Sequence, residues 1–115
     1  MNTRVIGSLQ EDLAISYLEE NGFEILERNF KCKIGEIDVI AKKDNVIRFI
    51  EIKYRNSNVA GGVHYAISQK KLVKISKIAQ FYIMINHLND SMFSIDALLI
   101  DNDEITYLEN VFGGM

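Results

Sequence analysis

A chain of 115 residues, 48% hydrophobic and 25% charged, with no proline and no low-complexity run, holds one core and not two, and is expected to be a single globular domain over 1–115. Its apolar runs are strand-length and broken by charges, and Met1-Asn2-Thr3-Arg4 leads into no signal-peptide core, so neither a membrane span nor a secretory signal is expected, and the cytoplasm is the expected location. The lone cysteine, Cys32, excludes an internal disulfide and suits a reducing compartment.

The net charge of −3 argues at first against a polyanionic partner, but its distribution reverses that impression. Residues 28–77 carry twelve bases against four acids, a balance of +8, between flanks of −5 (residues 1–27) and −6 (residues 78–115). Such asymmetry is the footprint of a polyanion-binding surface, with solvated lysines as the plainer reading.

In chain order, Ile6 to Asn21 has helical periodicity, with Ile6, Leu9, Leu13 and Tyr17 as an apolar stripe and Gly22 as the stop. Phe23 to Phe30 follows as a strand. Glu36 to Ala41 alternates polar and apolar residues, and Val46 to Ile52 is rich in β-branched and aromatic side chains, so both are strands, with Lys42-Lys43-Asp44-Asn45 as the turn. Asn56 to Gly62 is a polar, glycine-bearing loop. Ser68 caps a helix running to about Asn86, with Leu72, Ile75, Ile78, Ala79, Tyr82 and Ile83 as its apolar face. Phe93 to Ile100 is a further strand, Asn102-Asp103 a hairpin turn, and Ile105 to Leu108 a short edge strand.

The motif Gly35-Glu36-Ile37-Asp38, twelve intervening residues, then Glu51-Ile52-Lys53 carries the chemistry. With Asp44 and Asn45 as the central residues of a type I′-like loop, Lys43 faces Val46 and paired positions sum to 89, which sets Asp38 opposite Glu51. Opposed residues share a face with Cβ atoms about 4.5–5.5 Å apart, where like charges repel. A divalent cation offsets that repulsion most directly, and Mg²⁺ needs only one or two carboxylates besides water and substrate phosphate. Lys53, two residues past Glu51, projects from the same face. Separately solvated carboxylates screened by Lys53 are the alternative, and a register slip of one residue would put Asp38 and Glu51 on opposite faces. Cys32 lies between Lys31 and Lys33 but has no histidine partner placed to make it a nucleophile, and His64 and His87 lack zinc-ligand spacing.

Asp38, the spacer and Glu51-Ile52-Lys53 resemble the PD-(D/E)XK nuclease signature, with Ile37 where many members have proline. Over residues 7–112 the chain is similar to the YraN-like family of uncharacterised bacterial proteins, a branch close to archaeal Holliday-junction resolvases. The matching stretches are Gly7, Glu11, Ala14 and Tyr17-Leu18, then 22–29, 35–38, 51–55 and 105–112. The resemblance implies an α/β, restriction-endonuclease-like core, a mixed sheet flanked by helices. It implies a metal-dependent endonuclease using Mg²⁺ or Mn²⁺, with catalytic Asp38, Glu51 and Lys53 and metal ligands Glu11, Asp38 and Glu51. Glu11 shares a helical stripe with Ala14 and Leu18 and can point inward from its rim, though a solvated glutamate is an equal reading.

Lys53 would position water or phosphate and stabilise developing charge, and Arg55 could hold a neighbouring phosphate bidentately. Lys70 or Lys71, and Lys74 beyond them, would meet nucleic acid near the start of the second helix. Overall acidity is unusual for a junction resolvase, and the chain lacks a sequence-reading module, so sequence-specific duplex recognition is not expected; the expected substrate is recognised by structure, DNA in preference to RNA, and a homodimer is left open. The competing expectation is a non-catalytic nucleic-acid-binding or protein-interaction module on the same fold.

Overall fold

The structure, a computed structural model, describes residues 3–55 and 67–112, with side chains for 9–54 and 67–112. The elements are α1 (Thr3–Glu20), β1 (Glu24–Lys31), β2 (Glu36–Lys43), β3 (Val46–Arg55), α2 (Gln69–Ile85), β4 (Met92–Asp101) and β5 (Glu104–Leu108). The five strands form one sheet in chain order, antiparallel except between β3 and β4, which run parallel. This is an α/β fold with a restriction-endonuclease-like core. The loop expected over Asn56 to Gly62, and His64, fall outside the described residues.

Local chemistry accounts for the joints. Asp44 and Asn45 both have positive φ, 55° and 63°, as a type I′ turn requires, and the β2–β3 pairs from Lys43↔Val46 to Val39↔Ile50 keep the sum of 89. Asn102, with φ 57°, turns β4 into β5. Ser68 caps α2, its hydroxyl accepting from the Lys71 N–H at 3.2 Å. The helix buries the stripe expected of it, Leu72, Ile75, Ile78, Ala79, Tyr82 and Ile83.

α2 packs on one face of the sheet with Ile40, Ile47, Phe49 and Ile95. α1 packs with Val39, Ala41, Ile50, Ile52, Leu98 and Ile100, and so the sheet is covered by one helix cluster on each side. Here the stripe differs from expectation. Leu9 and Leu13 are exposed, while Ala14, Ile15 and Leu18 are buried and Tyr17 is half-buried. Both stripes satisfy a period of 3.6, and the side carrying the small Ala14 is the one that can bed closely against a face containing Ala41.

Candidate functional site

The sheet forks at β2. Through Ile50, β3 has β2 on one side and β4 on the other; from Glu51↔Ala97 to Arg55↔Asp101 its recorded pairs are with β4 alone. Meanwhile β2 stays with β1 through Phe30↔Ile37 and Lys31↔Glu36. Strand alternation would put Ile37 with Val39, yet Ile37 joins the α2-side cluster, so the strand changes face where it leaves β3. A ladder continued at the sum of 89 would set Ile37 against Ile52. Instead the Ile52 N–H donates to Asp38 Oδ2 at 2.8 Å, and the carboxylate fills the fork.

Asp38 and Glu51 line a single cavity of about 180 Å³ with Glu36, Lys71, Lys74, Ile75 and Ile78. Glu51 is buried, and its Oε1 lies 2.6 Å from Lys71 Nζ. Of the two lysines left open by the sequence, Lys71 reaches the carboxylates; Lys70 is exposed and does not line the cavity. Lys74 enters it beside Gly35. A Cβ built on Gly35, whose φ is 156°, would stand 2.7 Å from Lys74 Cε and 3.3 Å from Ile78 Cδ1, so the motif glycine makes room for this lysine.

The charges perturb one another as their crowding demands. Burial, and next the Glu51 charge, push the Asp38 carboxyl up to about 6, against the Ile52 N–H and Lys71, which favour its ionised form. Lys71 is raised, chiefly by its bond to Glu51. Lys53 is lowered, first by burial and then by the neighbouring Lys71, while Glu51 and Asp38 pull the other way. Two carboxylates and two ammonium groups thus act on one another at the fork.

Glu11 stands elsewhere. It is half-buried on the α1 side, where its Oε1 accepts from Asn29 Nδ2 at 2.8 Å and Arg28 Nη2 at 3.2 Å. It does not line the cavity, because Glu51 faces α2 on the opposite side of the sheet. Tyr54 feels both groups: burial first, then the charges of Asp38 and Glu11, push its phenol up to about 12. Arg55 ends β3 opposite Asp101, and its side chain is outside the described part.

The basic block is likewise divided. Arg28 pairs with Asp12 and Glu11, and the ammonium of Lys43 sits 4.7 Å over the Phe23 ring. Arg48 is buried, donating to Ser94 Oγ at 3.1 Å and standing 3.5 Å from the fully buried Asp96. Asp96 also accepts from the Tyr107 hydroxyl and, at 2.8 Å, from the Asn110 N–H. This network, which fastens the segment after β5 to the sheet, is not among the expected features. Its one visible signal is a carboxylate in the apolar run Ile95 to Ile100. Glu36, inside the first motif block, also lines the cavity and is not among the expected site residues.

Residues 10–100 match the model of the uncharacterised protein family UPF0102. The chain belongs to this family. It is 40% identical to a UPF0102 protein of Fusobacterium nucleatum over 114 residues, covering 99% of this chain and 96% of that one. It is 48% identical over 105 residues to a UPF0102 protein of Campylobacter jejuni subsp. doylei, 91% of each chain, and 43% identical over 111 residues to one of Helicobacter hepaticus, 96% of this chain and 97% of that one. Among the described residues of this UPF0102 protein, no helix is long and apolar enough to cross a membrane.

Proposed function

We propose that this UPF0102 protein is a metal-dependent phosphodiesterase acting on nucleic acid, DNA in preference to RNA. The observation that carries the reading is the convergence of Asp38 and Glu51 on one cavity with Lys71 and Lys74 at its wall. Among the described residues no three of His, Cys, Asp and Glu gather as a complete metal set. Two carboxylates nevertheless fit Mg²⁺ or Mn²⁺, since such sites are completed by water and substrate phosphate. The raised Asp38 carboxyl supports that fit: burial, and next the Glu51 charge, disfavour its ionised form, and a bound cation would favour it. Glu11, held by Arg28 and Asn29 on the α1 side, is not one of the ligands in this arrangement.

Bound there, the metal supplies a Lewis acid and an activated water. The protein's own groups do the rest. Asp38, anchored through Ile52 N–H, and Glu51, anchored through Lys71, hold fixed negative charge at the fork. Lys53 and Lys71 stabilise negative charge developing on phosphate, and Lys74 holds the adjoining backbone at the cavity wall. Lys53, lowered by burial and by Lys71, gives up a proton more readily than an ordinary lysine.

Purified protein incubated with Mg²⁺ or Mn²⁺ and branched or single-stranded DNA should cut it. Asp38→Ala should reduce the rate by about 10² or more while affinity is largely kept. The Lys71–Glu51 ion pair favours a second reading, in which an internal ammonium already compensates the carboxylate and the domain binds nucleic acid without cutting it. Binding without cleavage under any of these metals would select that reading.

A further inference from the structure

Beyond the carboxylate cavity, α2 carries a second one. We propose that it seats an unpaired nucleobase, making the substrate class single-stranded or branched nucleic acid; this rests on the phosphodiesterase reading. The cavity measures about 500 Å³ and is lined by Phe81, Ile34, Cys32, Lys31 and Lys33. Phe81 and Cys32 are half-buried and Ile34 is exposed, so an apolar and aromatic surface faces the opening.

The mouth is basic and built on a firm turn. Cys32 N–H donates to Gly35 O at 2.9 Å and Gly35 N–H to Cys32 O at 3.2 Å, closing a two-residue tip that presents Lys33 and Ile34. Lys31 stands 3.9 Å from Glu36; Lys33 has no acidic partner among the described residues. An aromatic ring flanked by cations is the combination that holds single strands, the ring stacking a base and the lysines following its phosphates.

The two cavities are neighbours along one helix and one turn. Ile75 and Ile78 line the first and Phe81 the second, while Gly35, which closes the turn at the second, packs against Lys74 and Ile78 of the first. From Lys71 to Phe81 the helix rises about 15 Å, the length of roughly four stacked nucleotides. A strand with phosphate at the carboxylates therefore brings a base to Phe81. A duplex cannot do so without unpairing one, which is the source of the selectivity.

The test is binding, in metal-free buffer, of a single strand of about twelve nucleotides carrying 2-aminopurine, beside a blunt duplex of the same length. Phe81→Ala should weaken single-strand binding roughly 5- to 100-fold, abolish the quenching that stacking causes, and leave duplex affinity within about twofold. Phe81→Trp should keep both. Phe81→Leu preserves apolar packing against Phe30 and guards against a folding defect, and it should still lose the quenching. Changing Lys31 and Lys33 to Gln together should lower the slope of log affinity against log salt by about 1.4. Wild-type affinity and quenching in the Leu and Ala variants, or equal losses on both substrates, would overturn the base site. If those results came with metal-dependent cleavage that Asp38→Ala removes, the base site alone would fall. A wild-type protein that binds neither substrate would remove the phosphodiesterase reading as well.

Discussion

Lys71 Nζ lies 2.6 Å from Glu51 Oε1, so the first turn of α2 supplies the counter-charge of the most buried carboxylate at the fork. Removing the lysine leaves Glu51 under-compensated, a role a divalent cation can take over. Lys71→Met should therefore lower stability in chelator by about 1–2 kcal/mol, discounted because the lysine is 40% exposed. Added Mn²⁺ should recover more of the melting temperature in this variant than in wild type. Equal responses in a thermal melt with and without Mn²⁺ would place the cation elsewhere.

Asp38 makes stability depend on pH. Its folded carboxyl is raised from 3.8 to about 6, so between those values the folded state binds more protons than the unfolded one. Stability from this group accordingly falls as pH rises through that window. Asp38→Asn keeps an acceptor for Ile52 N–H and removes the charge. It should stabilise the metal-free protein by about 2–3 kcal/mol at pH 7.5, on the order of two pH units of linkage, and by almost nothing near pH 3. Denaturant midpoints at the two pH values measure this, and a gain independent of pH would refute it.

Gly35 predicts a coupling. Its backbone, at φ 156°, and the 2.7 Å approach to Lys74 Cε leave no comfortable place for a methyl group. Gly35→Ala should destabilise by about 1–3 kcal/mol. In a Lys74→Ala background the loss should shrink, because the flexible lysine is one of the two groups obstructing the Cβ. Strict additivity in a double-mutant cycle would show that backbone strain alone is responsible.

The Asp96 network should behave as structure and not as site. Asp96 is fully buried between Arg48, Tyr107 and the Asn110 N–H. Asp96→Ala would leave the buried guanidinium only Ser94 Oγ and, at 4.0 Å, the exposed Glu109, and should cost about 3–5 kcal/mol, whereas Tyr107→Phe, which removes one hydroxyl donor, should cost about 1–3 kcal/mol. Neither loss should respond to Mn²⁺ in the same thermal melt, and a metal-dependent recovery would bring this network into the functional site.

What local chemistry controls was legible before any coordinates. The Asp44-Asn45 turn, the Ser68 cap, the apolar stripe of α2 and the register of β2 against β3 depend on neighbours a few residues apart, where periodicity and turn preference are decisive. That register, continued, would set Asp38 directly opposite Glu51, but the ladder ends at Val39↔Ile50, and the two carboxylates share one cavity across the fork instead. Composition also located the basic block, although it could not divide Arg28 and Arg48, spent on internal ion pairs, from Lys71 and Lys74 at the cavity.

Tertiary structure decided the rest, because it depends on which surfaces compete for the same space. The face of α1 was chosen by close packing, which buries Ala14 and leaves Leu9 and Leu13 exposed. The same choice turned Glu11 toward Arg28 and Asn29 instead of the carboxylates. The fork after Val39↔Ile50 is invisible to strand alternation, since it arises only when β3 continues with β4 while β2 continues with β1. Lys71 was singled out from Lys70 by α2's rotation on the sheet: one residue, about 100° of helix, separates an ammonium paired with Glu51 from one left in solvent.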